Sequence, residues 1–250
     1  MTRFSLEGQV AMVTGCNKGL GHAMAVALAE AGADVVGVNR TPATETRDRI
    51  EALGRRFFDV DAELGRDSAT TIVERALART GKLDILVNNA GMIRRAPALT
   101  FTEEDWDSVV DVNLKAAFFL ARQVARHLIE RKAPGRIVNI ASVLSFQGGI
   151  RVPSYTASKS GLLGLTRLLA NEWAAHGITV NAIAPGYMVT DNTRALRDDE
   201  VRSAEILARI PAGRWGKPED LAGAVIFLCS PAAGYVNGHA LAVDGGWLAR

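Results

Sequence analysis

Tyr155 and Lys159 stand four residues apart, with Ser142 upstream of both. Residues four apart are neighbours on a helix, so the phenol and the ammonium would share one face. A free phenol titrates near about 10, too high for work at neutral pH, and an adjacent ammonium favours the phenolate. Such a pair can take a proton from a hydroxyl or return one to a carbonyl oxygen. Ser142 can hydrogen-bond that oxygen and orient it. Asn113, in Asp111-Val112-Asn113-Leu114, falls inside a predicted helix where asparagine is a poor helix former. There it can hold a water linking Lys159 to solvent. Taken alone, the Tyr–Lys pair reads better as a surface i,i+4 pair. Its place in an ordered set of four, behind a glycine-rich turn, reverses that.

The turn reads Thr14-Gly15-Cys16-Asn17-Lys18-Gly19-Leu20-Gly21. It follows an apolar run, 10–14, and precedes an alanine-rich segment, 22–31. Strand, glycines and helix in that order aim backbone N–H groups and a helix N-terminus at a pyrophosphate. The spacing is G-x-x-x-G-x-G, not the common G-x-G-x-x-G, and glycines alone predict only a tight turn. With a proton-moving pair downstream, the turn points to hydride transfer at a carbinol or carbonyl carbon. The end of the second strand should meet the adenosine ribose, where an acidic residue favours NAD and a basic one NADP. Asn39 and Arg40 stand there without a carboxylate, and Lys18 can face the same phosphate, which tilts the choice toward NADP. In Asn88-Asn89-Ala90-Gly91, the Asn88 amide can tie strand ends together, while Ala90 and Gly91 let a cofactor approach.

The elements that must hold these groups alternate. Strands are predicted at 10–14, 34–38, 83–87, 136–140, 178–183 and 240–244. Helices are predicted at 22–31, 72–80, 102 to about 131, 154–175 and 218–229. Thr102 with Asp105 makes an imperfect capping box for the third of these helices. Near-continuous apolar strands between helices indicate a parallel sheet covered on both faces, an α/β fold. No composition shift marks a second domain, so 1–250 reads as one dinucleotide-binding catalytic domain. The polar, charged stretch 187–214 follows a strand's carboxyl end and reads as a substrate lid.

Composition excludes several function classes. The chain has 250 residues, 48% of them hydrophobic, enough for one large core. Its formal charge of +2 is too balanced to suggest nucleic acid or a membrane surface as partner. Cys16 and Cys229 match no metal spacing and no disulfide scaffold, so a reducing cytoplasm is the simplest compartment. The stretch 1–9 carries no apolar segment of signal-peptide length.

These motifs together resemble the short-chain dehydrogenase/reductase family across essentially the whole chain. The resemblance adds Pro185-Gly186 with Thr190 and the closing Val243-Asp244-Gly245-Gly246. It implies a Rossmann-type sheet of seven strands and a tetrad of Asn113, Ser142, Tyr155 and Lys159. It further implies that Lys159 binds the nicotinamide ribose, Thr190 the carboxamide, and an acid near the third strand the adenine, Glu63 or its competitor Asp61. Longer stretches, among them 145–155 with Gln147, 202–207 and 210–216, are similar to the family's sugar-acid dehydrogenases, acting on acids of the deoxygluconate and gluconate type. That branch implies NAD, against the lean of Lys18, Asn39 and Arg40. A sugar acid needs a cation for its carboxylate, and Arg94, Arg95 and Arg151 are the candidates beside Gln147. The resemblance also implies a homotetramer, with helices 102–131 and 154–175 paired across one interface. A 3-oxoacyl carrier-protein reductase is the rival within the class, and a cofactor-sensing binding module without turnover is the rival outside it.

Overall fold

The computed structural model describes residues 3–250; Met1 and Thr2, which open both the expected 1–250 domain and the stretch read for a leader, lie outside the described residues. Apolar and β-branched runs form the strands β1 (Val10–Thr14), β2 (Asp34–Asn39), β3 (Phe57–Asp61), β4 (Ile85–Asn88), β5 (Gly135–Ile140), β6 (Ile178–Pro185) and β7 (Ala240–Val243). All pair in parallel in the order β3-β2-β1-β4-β5-β6-β7, the doubly wound sheet that was expected. Every residue of β1 and β6 is buried, as parallel strands covered on both faces require.

The helices are α1 (Gly19–Glu30), α2 (Thr44–Ala52), α3 (Ala69–Thr80), α4 (Glu103–Val110), α5 (Ala117–Glu130), α6 (Pro153–Trp173), α7 (Arg194–Asp198), α8 (Glu200–Arg209) and α9 (Ala222–Cys229). One face of the sheet packs against α1 and α9 through Met24, Leu28, Val225 and Leu228. The other packs against α3, α5 and α6 through Ile72, Leu120, Leu128 and Leu169. Chain order reverses between β1 and β4, where Val13 pairs with Val87. A crevice at the carboxyl ends of the strands belongs at that switch point, and it fixes where a ligand binds.

Two elements escape the apolar pattern. Helix α2 buries only Thr46 and Ile50, and β3 is an edge strand carrying Asp59 and Asp61. Neither presents a run of apolar residues, so both were absent from the strand-and-helix pattern, and only the family's seven strands implied β3. The expected helix from 102 to about 131 is interrupted. A π-helical segment, Asp111–Ala116, separates α4 from α5. Thr102 does cap α4, its Oγ1 accepting the Asp105 N–H at 3.1 Å, but the Asp105 carboxylate pairs with Arg94 at 3.2 Å, so the box is one-sided. The stretch 187–214 holds α7 and α8. Among the described residues, no helix is long and apolar enough to cross a membrane.

Candidate active site

The glycine turn is built by close approach. Gly15 and Gly19 have φ of +65° and +58°, a region that favours glycine. A Cβ on Gly15 would come within 3.0 Å of the Ala90 Cα, and one on Gly21 would collide with the Gly15 carbonyl and the Asn89 amide. Thr14 Oγ1 accepts the N–H groups of Asn89 and Ala90 at 3.0 and 2.9 Å. Asn89 Nδ2 donates to the Thr14 and Gly15 carbonyls at 2.9 and 3.0 Å. The ends of β1 and β4 are thus stitched together under the turn, and at Gly19, where an added Cβ would meet nothing closer than Thr190 Cγ2 at 3.9 Å, the start of α1 has room for a dinucleotide pyrophosphate.

One turn of α6 carries both Tyr155 and Lys159. Pro153 begins the helix, and the Lys159 ammonium lies 5.7 Å from the centre of the Tyr155 ring. Lys159 Nζ donates to the Ile140 carbonyl at 2.6 Å, and Ser145 Oγ donates to the Lys159 carbonyl at 2.8 Å. Ser142 ends the loop leaving β5, its Oγ accepting the Leu144 N–H at 3.1 Å beside the Tyr155 phenol. The π segment brings buried Asn113 to the same place. Its Oδ1 accepts the Met92 N–H at 2.8 Å, and its Nδ2 donates to the Met92 carbonyl at 2.9 Å and to Ser158 Oγ at 3.3 Å. A Cβ on Gly91 would lie 3.3 Å from Asn113 Oδ1 and 3.6 Å from Lys159 Nζ, so both groups border that glycine.

Burial governs the titration of the pair. It pushes the Lys159 ammonium down to about 8. It also pushes the Tyr155 phenol above its ordinary value, against the pull of the Ser142 hydroxyl and the Arg95 guanidinium. The lowered phenol pKa expected from the sequence is therefore corrected. Desolvation outweighs neighbouring charge, and the resting pair is a neutral phenol beside a weakened cation.

A family model described as enoyl-(acyl carrier protein) reductase matches residues 15–248. The chain belongs to the short-chain dehydrogenase/reductase family. It is 61% identical over 251 residues to the 2-dehydro-3-deoxy-D-gluconate 5-dehydrogenase of Escherichia coli (strain K12), covering 100% of this chain and 99% of that one. A protein from Agrobacterium tumefaciens solved with bound NADP superposes with a TM-score of 0.95 at 56% identity, over 100% of both chains. A gluconate 5-dehydrogenase from Burkholderia cenocepacia J2315, solved in complex with NADP and tartrate, superposes with a TM-score of 0.94 at 40% identity, over 99% of this chain and 98% of that one.

Around this short-chain dehydrogenase/reductase centre, several side chains sit differently from their sequence expectation. Asn39 is buried and turned inward. Its Oδ1 accepts the Cys16 N–H at 2.8 Å, so it braces the turn instead of meeting a ribose. Asn17 Nδ2 donates to Thr41 Oγ1 at 2.8 Å. Lys18 is engaged by Asp191 at 2.6 Å, on the 187–214 segment. Arg40, the residue after β2, has a 75% exposed side chain and pairs with Glu63 at 3.8 Å. Glu63 is also held by Arg66 at 3.0 Å, whereas Asp61 ends β3 in register with Asn39. The Asn88 amide joins β4 to β5 and α5, donating to Asn139 Oδ1 at 2.9 Å and the Ala117 carbonyl at 3.1 Å. Pro185 closes β6, Gly186 packs on Asp244, and a Cβ on Gly19 would lie 3.9 Å from Thr190 Cγ2.

The three candidate arginines separate. Arg94 is neutralised by Asp105. Exposed Arg151 takes a φ of +62°, and its carbonyl accepts the Ala96 N–H at 3.1 Å. Arg95 is the one whose charge reaches Tyr155, and its Nη2 donates to the Asn192 carbonyl at 2.9 Å. Sequence reasoning missed Arg209, whose Nη2 donates to Gln147 Oε1 at 3.2 Å. That contact joins residues far apart in the chain, and no local pattern could reveal it.

Proposed function

We propose that the chain is an NADP-dependent dehydrogenase interconverting 2-dehydro-3-deoxy-D-gluconate and its 5-keto form. The observation that carries this reading is the meeting of Ser142, Tyr155 and Lys159 beside the glycine turn, in a chain so similar to an enzyme of that activity. The turn 15–21 would hold the pyrophosphate on its backbone N–H groups, with Ala90 and Gly91 giving close approach. Lys159 would hold the nicotinamide ribose, Thr190 with Pro185-Gly186 the carboxamide side, and Asp61, in preference to the ion-paired Glu63, the adenine. A bound nicotinamide supplies or accepts the hydride.

The rest of the chemistry belongs to the chain. In oxidation, Tyr155 first gives up its own proton through Lys159 and Asn113 and then, as phenolate, takes the C5 hydroxyl proton; in reduction the neutral phenol gives its proton to the C5 carbonyl oxygen. Ser142 Oγ hydrogen-bonds that oxygen in both directions. The Lys159 ammonium stabilises the phenolate while it exists, and Lys159 with Asn113 passes the proton onward. Incubation of 2-dehydro-3-deoxy-D-gluconate with NADP⁺, followed by NMR of the product, tests the reading. A new carbonyl at C5 supports it; oxidation at any other carbon contradicts it. D-Gluconate is the second candidate substrate, favoured by the Burkholderia relative.

Arg40 would contact the adenosine 2′-phosphate. Arg40→Ala should raise the Michaelis constant for NADP⁺ about 10- to 100-fold, the worth of one charge-assisted hydrogen bond, and leave that for NAD⁺ nearly unchanged. Equal effects on both cofactors would remove Arg40 from that role. The segment 187–214 serves in this reading as a lid, latched to the glycine turn through Lys18–Asp191. Its exposed bonds should resist proteolysis more when NADP is present; identical cleavage rates with and without NADP would count against closure.

A further inference from the structure

The tetrad deals with C5 of a sugar acid, but a carboxylate at the far end of the same molecule needs its own partner. Several arginines near the site are already matched: Arg94 with Asp105 at 3.2 Å, Arg194 with Asp191 at 2.7 Å, Arg202 with Glu205 at 2.8 Å and Arg214 with Asp220 at 2.7 Å. Arg95, Arg151, Arg197 and Arg209 have no carboxylate partner among the described residues; Arg95 and Arg197 donate to the Asn192 and Thr190 carbonyls, and of the four Arg209 is the one held on an aromatic ring. Arg209 ends α8, and its guanidinium lies 4.0 Å over the ring of Trp247.

Stacking occupies the face of a guanidinium and leaves its N–H edge free for a planar acceptor. Here that edge holds only a neutral amide oxygen, Gln147 Oε1, at 3.2 Å. Gln147 lies on the stretch between Ser142 and Tyr155, so the contact ties Arg209 to the loop that borders the reacting groups. The platform is firm. Trp247 is 4% exposed and packs with Ile206, Ile210 and Val143, the residue that follows Ser142 in the chain. Its buried indole N–H has no hydrogen-bond partner. A carboxylate makes shorter and stronger bonds to a guanidinium than an amide oxygen does, and it can accept two in parallel.

We propose that Arg209 is the residue that makes this protein select an acid: its guanidinium edge exchanges the Gln147 amide for the substrate carboxylate, on the Trp247 platform. This rests on the sugar-acid reading above and specifies which side chain enforces it. Arg209 takes no part in the proton or hydride step, so its loss acts on substrate capture.

The test compares 2-dehydro-3-deoxy-D-gluconate with its carboxamide, as substrates of the intact NADP-loaded protein and of Arg209→Met and Arg209→Lys. In the unmodified protein, the acid should be preferred by about 30-fold or more in kcat/KM. Arg209→Met should erase most of that preference by raising KM for the acid, with kcat and the carboxamide reaction changed less than about threefold. Arg209→Lys keeps a point charge but loses the fork, and should fall between the two. Should the methionine variant fail to fold, the lysine variant decides alone: an unchanged acid preference overturns the proposal. Loss of both substrates in equal measure overturns it too, because Arg209 would then only be packing on Trp247. Failure of the sugar-acid reading looks different, since the unmodified protein would then handle acid and carboxamide alike.

Discussion

Tyr155→Phe is expected to lower turnover by a factor of about 10³ or more, while the affinity for NADP changes less than about twofold. The substitution removes one oxygen and keeps the ring that borders Lys159 at 5.7 Å. Because burial holds the Tyr155 phenol above its ordinary pKa, the resting side chain is neutral at pH 7, and no folded-state charge is lost with it. Ser142 keeps its place on the Leu144 N–H, so the substrate oxygen still has a donor, but the proton has no acceptor. Steady-state turnover with parallel fluorescence titration of NADPH checks both halves. Residual turnover above about a tenth would mean that another group moves the proton.

Lys159→Met is the second large effect, and it should separate activity from stability. Turnover should fall about 10²- to 10³-fold, as a charge placed to steady a developing anion disappears. Stability should not fall with it. An ammonium whose pKa is pushed from 10.5 to about 8 by burial disfavours the folded state by about 3 kcal/mol at neutral pH, at about 1.4 kcal/mol per unit. Orphaning the Ile140 carbonyl gives back about 1–3 kcal/mol of that, so the variant should be as stable as its parent or slightly more so.

The sign of the pH dependence follows. Between about pH 8 and 10.5 the unfolded chain holds the Lys159 proton and the folded chain does not, so this residue's contribution to stability improves as pH rises through that window. Urea unfolding of parent and variant at pH 7 and pH 10 measures it, and the parent should gain on the variant by about 2–3 kcal/mol at the higher pH. A variant several kcal/mol less stable at pH 7 would show that Lys159 is a structural strut. Catalysis runs the opposite way. Reduction needs the Tyr155 proton and the Lys159 charge together, so its rate should decline above about pH 8, while oxidation should gain as the phenol ionises.

Much of this arrangement is legible in the chain because it is local. The apolar run 10–14 became β1 without adjustment, since a parallel strand buried on both faces has no polar side to confuse the pattern. The Tyr155–Lys159 pair was legible because helical spacing alone puts the two side chains together. Asn113 was noticed as a misfit in a helix; that it marks a π segment was not, because the cause is its bond to Met92, a contact across the chain.

The remaining differences share that character. Lys18 reads as a free cation until Asp191 reaches it from the 187–214 segment, and Arg94 reads as a carboxylate binder until α4 brings Asp105 beside it. Asn39 reads as a ribose contact until the turn folds back so that Cys16 donates to it. Arg209 has no signal in its own neighbourhood, because its platform, Trp247, comes from the end of the chain. The phenol's pKa was misjudged for a different reason. Sequence lists the neighbouring charges but not the depth at which they are buried, and here depth is the larger effect.

The account stands or falls on hydride transfer to a particular acid. The most direct measurement is nicotinamide absorbance with NADP⁺ and NAD⁺, each paired with 2-dehydro-3-deoxy-D-gluconate and with D-gluconate. The account predicts the highest kcat/KM for NADP⁺ with 2-dehydro-3-deoxy-D-gluconate. Faster turnover of D-gluconate, or no absorbance change with any pair from a protein that binds NADP, would contradict it.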